Sequence, residues 1–408
     1  NKLAHKLAED GICHSDRVVL FMENRSDYII SILALNKIGA IGVLINTSLT
    51  GKPLIHCINS SDSKKCIVGA ELASSLEDVL DDINISDKSD IYWVKDGDKF
   101  LCPDWASNLK LLLDDSKIEN LDMTDMVTAK DTAFYIFTSG TTGVPKAALF
   151  PNSKIIAASI NITKGGYRMD DSDCMYNCLP LYHSTGLMLG LCACVQAGAA
   201  TFIRRKFSAS SFWKEAKQFN TTAFVYVGEL CRYLSFQDPS DEEKNNPISK
   251  MVGNGLRPDL WDSFRNRFNV ERIIEIYGAS EGNALFMNLL NKDETIGMTN
   301  ARVGIFEYDV AEDKLVKNED GKYIEVEENQ PGLLLVEIGP NAIYNGYTDK
   351  KASEEKVITD IFKEGDRWFN TGDLIKTMDV GFALGRKHYQ FVDRVGDTFR
   401  WKAENVST

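Results

Sequence analysis

Over the first three quarters of the chain, short apolar runs rich in Val and Ile alternate with stretches whose apolar positions recur at helical spacing. Runs at 18–22, 40–46, 65–68, 91–94, 133–137, 175–179, 223–227 and 273–277 predict strands. Segments 26–37, 208–219 and 258–268 predict helices, the first with Ile29, Ile30, Leu33 and Ala34 on one side. This alternation predicts largely parallel sheets covered by helices, in two successive α/β subdomains spanning 1–300 rather than one very wide sheet. Beyond about residue 300 the runs shorten: 303–310, 322–326 and 333–338 predict strands split by turns such as 318–321. That pattern predicts a small antiparallel β-barrel-like subdomain over 301–392.

Two stretches need separate reading. The acidic, polar segment 86–125 reads as a surface excursion broken by short strands. The segment 185–203 carries no charge over 19 residues, almost enough to span a bilayer. It is rich in Ala, Gly and Cys, includes Gln196 and ends in a strand pattern at 199–203, so it predicts a buried helix followed by a strand. Asn1 to Asp10 is polar and helical in pattern, unlike a signal peptide.

The composition narrows the function classes. With 44% hydrophobic and 26% charged residues, the 408-residue chain has enough apolar surface for a large core and is not disordered. A net charge of −13 argues against a sequence-independent nucleic-acid binder but leaves room for a small basic phosphate pocket. The nine cysteines form no C-x-x-C pair, and none of the five histidines joins them at zinc spacing. Neither a disulfide scaffold nor a structural zinc site is expected, and a reducing compartment fits best.

The strand at 133–137 runs into Thr138, Ser139, Gly140, Thr141, Thr142, Gly143, Val144, Pro145 and Lys146. Glycines let successive backbone N–H groups turn toward one anion, hydroxyls add donors and Lys146 adds positive charge. This is the chemistry of a polyphosphate cradle, although it is not a Walker A loop.

The string resembles the phosphate-loop signature of the adenylate-forming superfamily of acyl-CoA synthetases, luciferases and peptide-synthetase adenylation domains. Further motifs follow in order: Tyr277-Gly278-Ala279-Ser280-Glu281, Phe369-Asn370-Thr371-Gly372-Asp373 and Asp393-Arg394-Val395-Gly396-Asp397. Segments 227–234, 253–257 and 391–402, with Asn283 after Glu281 and Gly282, resemble the fatty acid transport protein/very-long-chain acyl-CoA synthetase family. The resemblance implies an acyl-CoA synthetase N-terminal domain, with 393–408 as the hinge and the stub of a C-terminal domain. It implies ATP-dependent activation of long- or very-long-chain fatty acids through an acyl-adenylate to acyl-CoA, using Mg²⁺, with CoA as co-substrate. It further implies a cytoplasmic protein, at the membrane's cytoplasmic face if a peripheral contact exists.

Residue roles follow from the same resemblance. Thr138 to Lys146 would hold the β- and γ-phosphates, Glu281 would hold Mg²⁺, and Ser280, in place of the usual Thr, would bond the α-phosphate. Tyr277 would stack on adenine beside Gly278 and Ala279, with Gly253, Asn254 and Gly255 flanking the base. A core aromatic ending a strand is the plainer reading of Tyr277. Asp373 would accept both ribose hydroxyls, with Arg394 donating. His183 would lie near the acyl and phosphate sites, Val227, Gly228 and Glu229 near the acyl tunnel, and Asp397 at the hinge.

The chain also departs from the family pattern. No segment matches the family's C-terminal domain, which supplies a catalytic lysine that Lys146 does not replace, and Asn1 already lies inside a helix pattern. A shortened chain is therefore expected, binding ATP and acid better than it turns them over. Ala403 stands where the family has Gly; if that position needs positive φ, alanine costs on the order of 1 kcal/mol. Three alternatives stay open: a fatty-acid-capturing membrane partner without its own catalysis; a ligase for a bile acid, a carnitine-like acid or an aromatic acid; and a serine hydrolase. The hydrolase reading rests on Gly278-Ala279-Ser280-Glu281-Gly282, with Asp373 and His388 following in hydrolase order.

Overall fold

The computed structural model describes residues 1–85, 87–139, 145–278, 282–340, 342–395, 399–401 and 404–406, the side chains of 139 and 399–406 excepted. Two compact units divide the chain: Asn1–Thr163 with Met169–Ser208, and Lys164–Arg168 with Ala209–Thr408.

The first unit carries β1 (Arg17–Phe21), β2 (Ile41–Leu44), β3 (Lys65–Gly69), β4 (Ile91–Val94), β5 (Ser107–Asn108), β6 (Thr132–Ser139) and β7 (Pro145–Pro151). They form one sheet in the order β5-β4-β3-β1-β2-β6-β7, parallel throughout except for the antiparallel edge strand β7. Every residue of β2, β3 and β4 is buried, which is why these runs are continuously apolar. Val19, Phe21, Val43, Cys66, Val68 and Trp93 share one core cluster. Just beyond the carboxyl ends of β1, β3 and β4, the buried Arg25 guanidinium bonds Glu71 at 3.0 Å and the Val94 carbonyl at 3.0 Å. Asp96 lies 3.3 Å from Arg25 and is held bidentately by Arg205 at 2.5 Å. The parallel pair β8 (Cys174–Asn177) and β9 (Ala200–Ile203) completes this unit.

Several sequence expectations need correcting here. The segment 86–125 is not only a surface excursion: β4 and β5 within it build one side of the sheet. The strand β7 was not expected, because its apolar centre is only four residues long between Lys and Pro. Its pairing with β6, Thr138 opposite Lys146, creates it. The uncharged segment forms a π-helix over Thr185–Cys192 and an α-helix over Ala193–Ala197, ending at Gly198 with φ +71° before β9. Among the described residues no helix is long and apolar enough to cross a membrane.

In the second unit β10 (Ala223–Val227), β11 (Lys250–Asn254) and β12 (Arg272–Tyr277) run parallel, and β13 (Phe286–Met287) joins β12 antiparallel. Next come β14 (Val303–Phe306), β15 (Tyr308–Asp309), β16 (Lys314–Leu315), β17 (Gly332–Glu337), β18 (Val357–Thr359), β19 (Arg367–Met378) and β20 (His388–Arg394). An antiparallel sheet runs β14-β17-β19-β18, with β20 also on β19. The expected strand at 303–310 is thus two strands, the second in a hairpin with β16, and 322–326 makes only isolated bridges at Tyr323 and Glu325. The strands β19 and β20 escaped notice because Asn370, Thr371 and Asp373, or His388, Gln390 and Asp393, interrupt the apolar pattern.

Alternate residues of β17 feed two cores. Leu334 and Val336 join Phe286, Ile296, Ile375 and Tyr389, whereas Leu333 and Leu335 join Phe306, Trp368 and Leu374. The first core fastens the antiparallel sheet to β12 and β13: Phe286 packs edge-on against Tyr389 at 5.1 Å. Gly297, at φ +84°, threads this seam; a Cβ there would lie 2.1 Å from the Met287 backbone.

His388 is buried on β20, and neither ring nitrogen has a hydrogen-bond partner among the described residues. Burial, with Lys292 nearby, pushes its pKa below the ordinary value of 6.5. The unfolded chain's imidazole takes up a proton below about pH 6.5, whereas the folded chain's resists it, so stability is lost as pH falls through that range. In thermal melts at pH 7.5 and 5.5, His388→Leu is expected to lose less Tm on acidification than the parent. Equal losses would contradict this account.

Candidate functional site

In the second unit Tyr277 ends β12 and Asp373 lies in mid-β19, 96 positions apart in the chain, yet the Tyr277 hydroxyl donates to Asp373 Oδ2 at 2.5 Å. Arg394 Nε donates to Asp373 Oδ1 at 3.2 Å, from directly across the ladder. The Asp373 side chain is 4% exposed and that of Arg394 66%, so the ion pair has one buried and one wet end. Burial, then the Asp373 carboxylate, push the Tyr277 phenol well above its ordinary pKa and keep it a donor. Its ring stands edge-on to Phe286 at 5.5 Å and tilted against Phe391 at 6.2 Å.

A bulge aims Asp373. The register between β17 and β19 shifts between Leu333 and Leu335, and Gly372 takes φ +74°. The Asn370 amide oxygen accepts from Gly372 N–H at 2.9 Å. Thr371 donates to the Leu334 carbonyl at 2.9 Å and accepts from Asp373 N–H at 3.1 Å. The polar residues that hide β19 from a hydrophobic reading are thus those that shape the turn.

Gly253 and Asn254 end β11, and Gly255 follows at φ +81°. The turn is held by Glu275, which the motif reading missed. Its Oε1 accepts from Tyr226 O–H at 2.6 Å and Leu256 N–H at 2.9 Å, and its Oε2 from Gly255 N–H at 2.8 Å. The available signal was one carboxylate amid Ile273, Ile274 and Ile276. Burial pushes this carboxyl up to about 7 against the three hydrogen bonds that pull it down. Gly228, at the start of the helix Gly228–Ser235, comes so close that a Cβ there would lie 1.6 Å from the Gly255 carbonyl. Val227 ends β10, while Glu229 is exposed and paired with Arg232 at 2.7 Å. Gly278 is exposed after β12.

In the first unit the β6–β7 hairpin frames the glycine-rich loop, with Thr138 opposite Lys146 and Ser139 opposite Pro145. The Thr138 hydroxyl is buried without a hydrogen-bond partner among the described residues, a donor suited to a ligand oxygen. His56 Nε2 lies 3.0 Å from the Pro145 carbonyl. His183 is exposed; its Nδ1 accepts from Thr185 N–H at 3.3 Å, so the proton of the neutral ring sits on Nε2.

Gly140, Thr141, Thr142, Gly143, Ala279, Ser280, Glu281, Asp397 and Ala403 lie outside the described residues. The hydrolase reading needs an Asp373–His388 link, but Asp373 pairs across from Arg394 and His388 from Met378. Five strand positions separate them, about 16 Å.

Two substitutions test this geometry. Tyr277→Phe removes a donor from a buried carboxylate and is expected to cost about 1.5–3 kcal/mol in urea unfolding. Gly228→Ala forces the 253–257 turn aside at a cost of about 1–3 kcal/mol, and an unchanged midpoint would refute the close approach.

Residues 1–348 match the sequence model described as AMP-binding enzyme. Over 408 residues the chain is 37% identical to the medium/long-chain-fatty-acid–CoA ligase FadD6 of Mycobacterium tuberculosis, covering 100% of this chain and 65% of that protein. It is also 37% identical, over 418 residues, to long-chain fatty acid transport protein 6 of Mus musculus, again covering 100% and 65%. The chain thus spans about 65% of the length of these relatives. The anthranilate CoA ligase AuaEII, solved with anthranoyl-AMP, shares the fold at TM-score 0.79 and 18% identity, covering 100% of this chain and 73% of that one. Its two α/β sheet systems and antiparallel β sheet are those of an acyl-CoA synthetase N-terminal domain, and the chain belongs to the AMP-binding enzyme family.

Proposed function

We propose that this chain carries the nucleotide- and acid-binding part of an ATP-dependent acid–thiol ligase for long- or very-long-chain fatty acids. A fatty-acid carboxylate attacks the α-phosphorus of ATP and releases pyrophosphate; the thiol of CoA then displaces AMP from the acyl-adenylate. Both partners of the first step are anions, so positioning and charge neutralisation dominate its rate.

The observation that carries this reading is the buried Asp373 carboxylate, held by Tyr277 from the end of a parallel strand and by Arg394 from the neighbouring antiparallel strand. A carboxylate offers about four acceptor sites and suits the vicinal hydroxyls of ribose. Arg394, mostly exposed, donates to the same sugar. Tyr277 offers its ring to adenine while its hydroxyl orients Asp373, and the 253–257 turn flanks the base. Thr138, Ser139 and Lys146, with the loop they frame, bind the β- and γ-phosphates; the Thr138 hydroxyl, without a hydrogen-bond partner among the described residues, supports this. Glu281 is the proposed Mg²⁺ ligand and Ser280 the α-phosphate donor; bound Mg²⁺ would neutralise phosphate charge. His183 is assigned to the acyl–phosphate region, Val227 and Gly228 to the acyl path and Asp397 to the hinge. Glu229 fits the acyl role least, because its charge is exposed and paired.

The names of the relatives support a fatty acid as the substrate, and the name transport protein supports an uptake role exercised through activation. We place the protein in the cytoplasm, with a peripheral contact to the cytoplasmic face of a membrane.

The test is carboxylate-dependent ATP–pyrophosphate exchange with acids from C8 to C24, run on this chain and on one extended by a family C-terminal domain. Exchange is expected to peak with long acids and to fall roughly 100-fold in Asp373→Ala. A flat chain-length response would move the proposal to another acid, and absence of ATP binding would end it.

A further inference from the structure

We infer that Glu275 is a positioning residue of the nucleotide site: its carboxylate anion holds the 253–257 turn, and nucleotide affinity depends on that anion's charge. The inference rests on the proposed role of this turn beside the base.

The geometry is specific to an anion. Three donors, Tyr226 O–H, Leu256 N–H and Gly255 N–H, converge on the carboxylate within 2.6–2.9 Å. A group that only accepts is required; a glutamine amide would point its own N–H₂ at one of those donors. Protonating Glu275 weakens the same turn, because the hydrogen added at Oε2, which holds one donor, removes the charge that strengthens all three hydrogen bonds. The residue is 4% exposed between Ile274 and Ile276, where an apolar side chain would pack at less cost. What the carboxylate adds is two backbone hydrogen bonds at the apex of a turn that runs through a positive-φ glycine.

The surroundings leave this carboxylate as the group that titrates against the turn. Tyr226 on β10, Cys231 on the helix Gly228–Ser235, and Tyr167 are the titratable groups around the carboxylate and its phenol partner. Lys250 and Arg272 stand at the opposite, starting ends of β11 and β12, and Asn288, which donates its N–H to the Glu275 carbonyl at 3.0 Å, is uncharged. In the helix Glu229 pairs with Arg232, and in the turn Arg257 pairs with Asp259. Since burial raises the carboxyl to about 7, the change of charge falls near neutral pH.

The experiment is calorimetric titration with ATP from pH 5.5 to 8.0 on the parent, Glu275→Gln, Tyr226→Phe and Asp373→Ala. ATP's own phosphate titrates near pH 6, so the quantity read is the ratio of parent to variant affinity at each pH. The parent is expected to bind about tenfold tighter than Glu275→Gln at pH 8.0, the ratio closing toward one by pH 5.5 through a single-proton transition. Tyr226→Phe, which withdraws one donor from the anion, should keep the pH dependence with its midpoint moved upward. A pH-independent ratio, or equal affinities at pH 8.0, overturns the inference while leaving the nucleotide reading intact if Asp373→Ala still weakens binding. Failure of the parent to bind ATP at any pH overturns both. Should Glu275→Gln fail to fold in a thermal melt, the Tyr226→Phe midpoint decides, and an unmoved midpoint rejects the inference.

Discussion

The second unit depends on one polar contact made across an apolar seam, the hydrogen bond from Tyr277 to Asp373. It joins the end of a parallel strand to the middle of an antiparallel one, and the seam beneath it is aromatic: Tyr277 on Phe286, Phe286 on Tyr389. Dispersion and burial bring the sheets together without selecting a register. The hydrogen bond and the Gly372 bulge select it, because an unpartnered buried carboxylate would cost several kcal/mol. The same contact arms the proposed ribose acceptor, so the stability of the seam and the chemistry of the site are one requirement.

Buried charge is handled differently at three places. Arg25 and Glu71 neutralise each other beyond the carboxyl ends of β1 and β3, with Asp96 and Arg205 closing the network. Asp373 keeps an exposed guanidinium as its counterion. Glu275 has only hydrogen-bond donors, and burial drives its carboxyl to about 7. The first arrangement locks a fold; the second leaves one end open to solvent, as a ligand site requires. The third sets a backbone turn by a charge that is costly to bury, an expense that makes sense where the turn has a task beyond packing.

Much of the candidate site was legible because its chemistry is local. The string from Thr138 to Lys146 states its donors in nine consecutive residues, and Thr371, Gly372 and Asp373 form their own turn. Glu275 was not legible by motif, because its partners Tyr226, Gly255 and Leu256 come from two other strand ends. The hydrolase pattern shows the converse: Asp373 and His388 stand in the right order in the chain, yet the ladder sets them apart.

The sequence by itself determined the parallel α/β architecture, since strands buried on both faces must be continuously apolar and helices between them must be amphipathic. It also determined the family. Tertiary structure alone decided the strands that carry no such pattern. The edge strand β7 exists because β6 offers an unpaired ladder, and β19 persists through Asn370, Thr371 and Asp373 because β17, β18 and β20 bond it. Periodicity records which side chains meet the core, whereas pairing is paid in backbone hydrogen bonds that every residue type but proline can make.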